Sequence, residues 1–103
     1  MRSLKLLLYG RKGCCLCEGL EEKLRDLRLY ECNPPLELDV VDIDNASTQP
    51  ALRAKYDYLV PVLALHEKNG IELAVLPRVS PRLKGEGLLV WLQQACMRGL
   101  SSD

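Results

Sequence analysis

The chain has 103 residues, 14 basic and 14 acidic side chains, 5% aromatics and no phenylalanine. That length supports a single domain over 1–103 whose one core is built mainly from Leu, Val, Ile and Ala. The charge balance argues against nucleic acid or an anionic membrane as the main partner, and no apolar run approaches the ~20 residues of a membrane span. The apolar stretch 6–9 is short and lacks a following cleavage-site pattern, so no signal peptide is expected.

In chain order, Leu6-Leu7-Leu8 marks a strand over 3–9 that is almost continuously apolar, as a strand covered on both faces requires. Gly10-Arg11-Lys12-Gly13 turns the chain into a helix from about Cys15, with Leu16, Leu20, Leu24 and Leu27 on one face and Asn33-Pro34-Pro35 ending it. Glu18, Glu21 and Glu22 come early in that helix and Arg25 and Arg28 late, the order favoured by the helix dipole. Alternation over 36–43 predicts a second strand, parallel to the first in a right-handed β-α-β unit.

Ser47 or Thr48 is a candidate cap for a short helix that has Pro50 in its first turn and reaches Tyr56. A third strand over 60–65 is opened by Pro61, the Asn69-Gly70 turn makes a hairpin, and a fourth strand follows over 71–75. A loop with Pro77 and Pro81 leads to a last helix over 85–97, which turns Leu88, Trp91, Leu92 and Ala95 inward. The order is β-α-β-α-β-β-α.

The five cysteines carry the chemistry. They are odd in number and clustered, which suits a reducing compartment, the cytoplasm, better than a secreted disulfide scaffold. Cys14 and Cys17 form a Cys-x-x-Cys pair at a strand-to-helix junction. The unpaired N–H groups and partial positive charge of a helix N-terminus stabilise a thiolate, and Arg11 and Lys12 add cations beside it. Cys14 is therefore the candidate nucleophile, and Cys17, one turn on, the residue that resolves the mixed disulfide. Cys15 reads as a spectator, Cys32 and Cys96 as helix-packing residues, Trp91 as core, and His66 as a surface residue flanking a turn. A zinc site needs four ligands, and the lone histidine is far from the cysteine cluster, so no metal ligand set is assigned.

Cys-x-x-Cys opening the first helix and Val60-Pro61 opening the third strand resemble the thioredoxin fold, and Tyr9-Gly10-Arg11-Lys12-Gly13-Cys14 resembles the active-site segment of glutaredoxins. The chain is most similar to small bacterial and plastid glutaredoxin-like proteins with Cys-x-Leu-Cys. Asp42-Ile43-Asp44, Tyr56, Val60-Pro61-Val62, Leu76-Pro77-Arg78 and Ser80-Pro81-Arg82-Leu83 fit that group. The resemblance implies an α/β thioredoxin fold with a four-stranded mixed sheet and three helices. It also implies a cis Pro61 beside the cysteines, and a Val60 whose backbone pairs with an extended substrate. Two departures from typical glutaredoxins stand out: Cys15-Leu16 replaces the usual Pro-Tyr, and Val79-Ser80-Pro81-Arg82 replaces the Gly-Gly and paired-Asp segment that holds glutathione.

The expected function is a monomeric, cytoplasmic thiol–disulfide oxidoreductase that reduces protein or glutathione mixed disulfides through Cys14 and Cys17. Its substrate-binding candidates are Arg11, Lys12, Val60, Pro61, Arg78 and Arg82. No firm cofactor is implied; glutathione is a candidate co-substrate, and glutathione or thioredoxin reductase the candidate reductant. The rival readings are an iron–sulfur or metal carrier using Cys14, and a redox-inactive adaptor on the same fold.

Overall fold

In the computed structural model, which describes residues 3–101, the apolar first strand β1 (Leu4–Gly10) lies inside the sheet. Its alternate side chains enter two separate cores: Leu4, Leu6 and Leu8 on one face, Leu7 and Tyr9 on the other. This explains the apolar run Leu6-Leu7-Leu8, because the strand is covered on both faces there, while Lys5 near its start is part-exposed and pairs with Asp39 at 3.8 Å.

β2 (Leu36–Asp42) runs parallel to β1, with Leu4 opposite Leu36 and Gly10 opposite Asp42. β3 (Val62–His66) pairs antiparallel with β1 on its other side, and β4 (Glu72–Val75) antiparallel with β3. The sheet order is β2-β1-β3-β4, four strands of mixed direction. With helices α1 (Cys15–Arg25), α2 (Pro50–Tyr56) and α3 (Gly85–Leu100), this is the thioredoxin-like architecture the sequence resembles.

The larger core lies under α1 and α3, where Leu20 and Leu24 meet Leu88, Leu92, Ala95 and Cys96 over Leu6, Leu8, Leu63 and Leu65. Trp91 packs at its margin, half-buried. The other face has only the short α2. Tyr56 stacks there on Tyr9 with ring centroids 5.0 Å apart, beside Ile43 and Ala64. Burial pushes the Tyr9 phenol up to about 12, and its hydroxyl lies 3.4 Å from His66 Nε2.

Several local expectations are corrected. α1 ends at Arg25 rather than near Asn33, and a single 3₁₀ turn (Leu29–Glu31) follows. Leu27 thus reaches the core from outside the helix, while Leu16 is 52% exposed, pointing away from that core. Neither Ser47 nor Thr48 caps α2: the cap position is Gln49, with no side-chain bond, and the Thr48 hydroxyl donates to the Asp42 carbonyl at 2.8 Å. His66 is not a surface residue. Its side chain sits at the end of β3 between Tyr9 and Glu72, whose Oε1 is 3.6 Å away.

Candidate active site

The site lies at the end of the parallel pair β1–β2, where the chain leaves β1 for α1. Gly13, with φ of +82°, makes the last bend before Cys14, a backbone region that glycine enters without the steric cost of a Cβ. Cys14 then occupies the N-cap of α1 with extended backbone angles, and its carbonyl accepts the Glu18 N–H at 3.0 Å. Its Sγ accepts the Cys17 N–H at 3.1 Å, in the way a serine or aspartate oxygen caps a helix. The sulfur is therefore held against an N–H that the helix cannot pair itself, the setting that favours its anionic form once reduced.

Cys14 and Cys17 are joined by a disulfide with Cα atoms 5.2 Å apart. The two sulfurs differ in access: Cys17 is buried and Cys14 partly exposed. Gly10 sets the depth of Cys17, since a Cβ at position 10 would come within 3.0 Å of Cys17 Cβ and 3.3 Å of its sulfur. A side chain there would crowd Cys17, which would have to shift by a few tenths of an ångström to make room. A cavity of about 180 Å³ opens beside Cys17, lined by Lys12, Glu18, Glu21 and Asp42 among others. Cys15 is free and exposed; Cys32 and Cys96 are free and buried. Among the described residues no group of three or more His, Cys, Asp or Glu side chains could hold a metal ion. Nor is any described helix long and apolar enough to cross a membrane.

The Val60–Pro61 bond is cis, as the resemblance implied; Asn33–Pro34 is cis as well, which the sequence reading did not anticipate. Pro61 shares a groove of about 110 Å³ with Leu16, Gly19, Lys23, Arg78 and Val79. The outward Leu16 is thereby explained: it forms a wall of that groove rather than part of the core. Val60 departs from the expected pairing in one respect. Its N–H already donates to the Tyr56 carbonyl at 3.3 Å, as does the Leu59 N–H at 3.0 Å. The Val60 carbonyl, by contrast, accepts no hydrogen bond from the described residues.

The candidate cations fall into three situations. Lys12 is exposed and borders the Cys17 cavity. Arg78 lines the groove and reaches the Leu59 carbonyl at 3.4 Å, while Arg82 is exposed and does not line it. Arg11 uses four of its five N–H donors within the protein. It donates to both oxygens of Asp44 at 3.0 and 2.9 Å, to Asp57 Oδ1 at 2.8 Å and to the Asp57 carbonyl at 3.0 Å. Asp44 and then Asp57 drive its already high pKa higher still. Sequence reading quoted Asp44 only within a motif and missed Asp57; their spacing from Arg11 along the chain gave no signal of the contact.

A glutaredoxin-like domain family, described as Glutaredoxin-like domain (DUF836), matches residues 5–93. Among solved structures, one described as the structure of a malarial protein superposes with a TM-score of 0.57 at 18% identity, covering 90% of this chain and 97% of that one. At that identity the likeness shows the fold. No curated protein matches the sequence.

Proposed function

The chain belongs to the glutaredoxin-like (DUF836) family, and from that premise we propose that it is a dithiol oxidoreductase that reduces disulfides in proteins or with glutathione. The observation that carries the reading is the Cys14–Cys17 pair itself, with one sulfur at a helix N-terminus and partly exposed and the other buried one turn behind it. That asymmetry supports a direction for the reaction. Cys14 thiolate attacks a substrate sulfur, the substrate S–S bond breaks, and the first substrate thiolate leaves and takes up a proton. Cys17 then loses its proton and attacks Cys14 Sγ. The second substrate thiol departs, two electrons have passed to the substrate, and Cys14–Cys17 is left as the disulfide. A thiol reductant returns the pair to its dithiol form.

The groove between Leu16 and Pro61 suits an extended chain with an apolar side chain, and Lys23 and Arg78 at its wall suit a carboxylate next to it. The Val60 carbonyl is free to accept one backbone N–H of such a chain, and Lys12 lies on the Cys17 side. Arg82, outside the groove, would meet only a longer substrate. Glutathione and acidic peptides share this chemistry, and both are proposed as substrates, in a reducing compartment such as the cytoplasm.

The test is reduction of a glutathionylated peptide and of a disulfide-bonded protein, each driven by glutathione or by thioredoxin reductase. Turnover that is lost in Cys14→Ser and stalls as a Cys14 mixed disulfide in Cys17→Ser supports the reading. Absence of turnover with every pairing of substrate and reductant contradicts it.

A further inference from the structure

Three connections meet at the end of the sheet that carries the site: 11–14 between β1 and α1, 43–49 between β2 and α2, and 57–61 between α2 and β3. Loops at such an edge lack ladder hydrogen bonds and are held by side chains or left mobile. Here one side chain reaches all three. Arg11 stands in the first, grips Asp44 in the second with two parallel N–H···O bonds, and holds Asp57 in the third through both its carboxylate and its backbone carbonyl. A guanidinium is the one side chain with enough donors in a rigid plane to do this; a lysine ammonium keeps the charge but cannot span both carboxylates and a carbonyl.

Asp57 is two residues from Leu59 and three from Val60, and the N–H groups of both turn back onto the Tyr56 carbonyl. Arg11 thus fixes the segment that leads into Pro61 from the same loop that ends in Cys14.

We infer that Arg11 is a positioning residue that straps the Cys14 loop to the segment before Pro61 and so sets the spacing between the attacking sulfur and the backbone that aligns an extended substrate. This rests on the disulfide-exchange reading for its consequence, though the strap itself does not. It also replaces the expectation that Arg11 serves as the thiolate's counter-charge or contacts substrate. Its charge is already met by two carboxylates, leaving Lys12, two residues before Cys14, as the exposed cation of that loop.

The test uses the full chain as wild type, Arg11→Lys and Asp57→Ala, with three readouts. Amide exchange at Leu59 and Val60 should accelerate about tenfold or more in both variants, the loss expected when charged hydrogen bonds are removed, while the β1 and β3 ladder amides keep their protection. The KM for a disulfide-bonded peptide should rise about tenfold, whereas the pH profile of Cys14 alkylation by iodoacetamide should stay within about twofold of wild type, because geometry and not acidity has changed.

If Arg11 acts through its charge, Arg11→Lys behaves as wild type in all three readouts, and Asp57→Ala makes Cys14 more acidic with unchanged exchange at Leu59 and Val60. That result overturns the inference. A wild-type protein that reduces no disulfide defeats the redox reading alone, and the exchange measurement still decides the strap.

Discussion

Two pairs of cysteines sit in opposite surroundings in this small protein. Cys14 and Cys17 straddle the first turn of α1, where the Cys17 N–H points at the Cys14 sulfur and one of the pair meets solvent. Cys32 and Cys96 are free thiols inside the main core, among Leu and Ala side chains. Burial raises the Cys32 thiol, with Glu31 adding to it, and pushes Cys96 up to about 12, with Cys32 adding to the effect. The same functional group thus meets a helix N-terminus that favours its thiolate at one place and an apolar core that disfavours it at another. The core pair is also mechanically secured: Asn33, next to Cys32, exchanges two hydrogen bonds with Gln93 of α3, at 2.9 and 2.8 Å.

The largest way to break this contrast is Cys14→Ser, which should lower disulfide reductase turnover by about 10³-fold or more, because a neutral hydroxyl cannot replace a thiolate. Steady-state assays check it. Cys17→Ser should accumulate a mixed disulfide on Cys14, visible as a mass increase equal to one substrate thiol. Cys14→Ser should not greatly alter stability of the reduced protein, since a serine at that position is itself a favourable helix cap.

The core pair should respond in the reverse manner. Cys96→Ser puts a hydroxyl in an apolar site and should destabilise the fold by ~1–3 kcal/mol with catalysis intact, measured by urea unfolding beside the activity assay. A pH series sharpens this. Cys96 and Tyr9 hold their protons in the folded chain up to about 12, against ordinary values of 9.0 and 10.0. From about pH 9 upward the unfolded chain therefore binds fewer protons than the folded one, and stability falls with rising pH. The stabilisation is complete below that window and lost through it. Cys96→Ala should make the decline between pH 9 and about 10 shallower, with Cys32, also raised by burial, supplying what remains where Tyr9 does not yet contribute.

Much of this contrast was legible in the sequence and part was not. Cys-x-x-Cys at a strand-to-helix junction, the run Leu6-Leu7-Leu8 and the alternation after Leu36 are local signals, so the element order and the cysteines that pair could be read directly. The end of α1 could not, because Leu27 and Leu29 keep an apolar pattern while the chain leaves the helix for a 3₁₀ turn that delivers Cys32 to the core. Leu16 fits a helical stripe equally well, yet in the first turn it faces the Pro61 groove. Arg11 shows the limit most clearly: its partners lie 33 and 46 residues away, and only the meeting of three loops brings them together.

The smallest expected effect belongs to Cys15. It is exposed and makes no disulfide, so Cys15→Ser should leave turnover within about twofold of wild type, as surface substitutions usually do. A loss equal to that of Cys17→Ser would instead point to a three-thiol metal site.

The central claim, that redox chemistry is confined to Cys14 and Cys17, is tested most directly by titrating the whole protein through defined thiol–disulfide ratios, quenching with acid, alkylating under denaturing conditions and mapping each cysteine by mass. The account predicts one two-electron transition in which Cys14 and Cys17 gain and lose label together while Cys32 and Cys96 stay labelled as thiols throughout. A transition that involves a Cys32–Cys96 bond, or a Cys14–Cys17 pair that never exchanges, would contradict it.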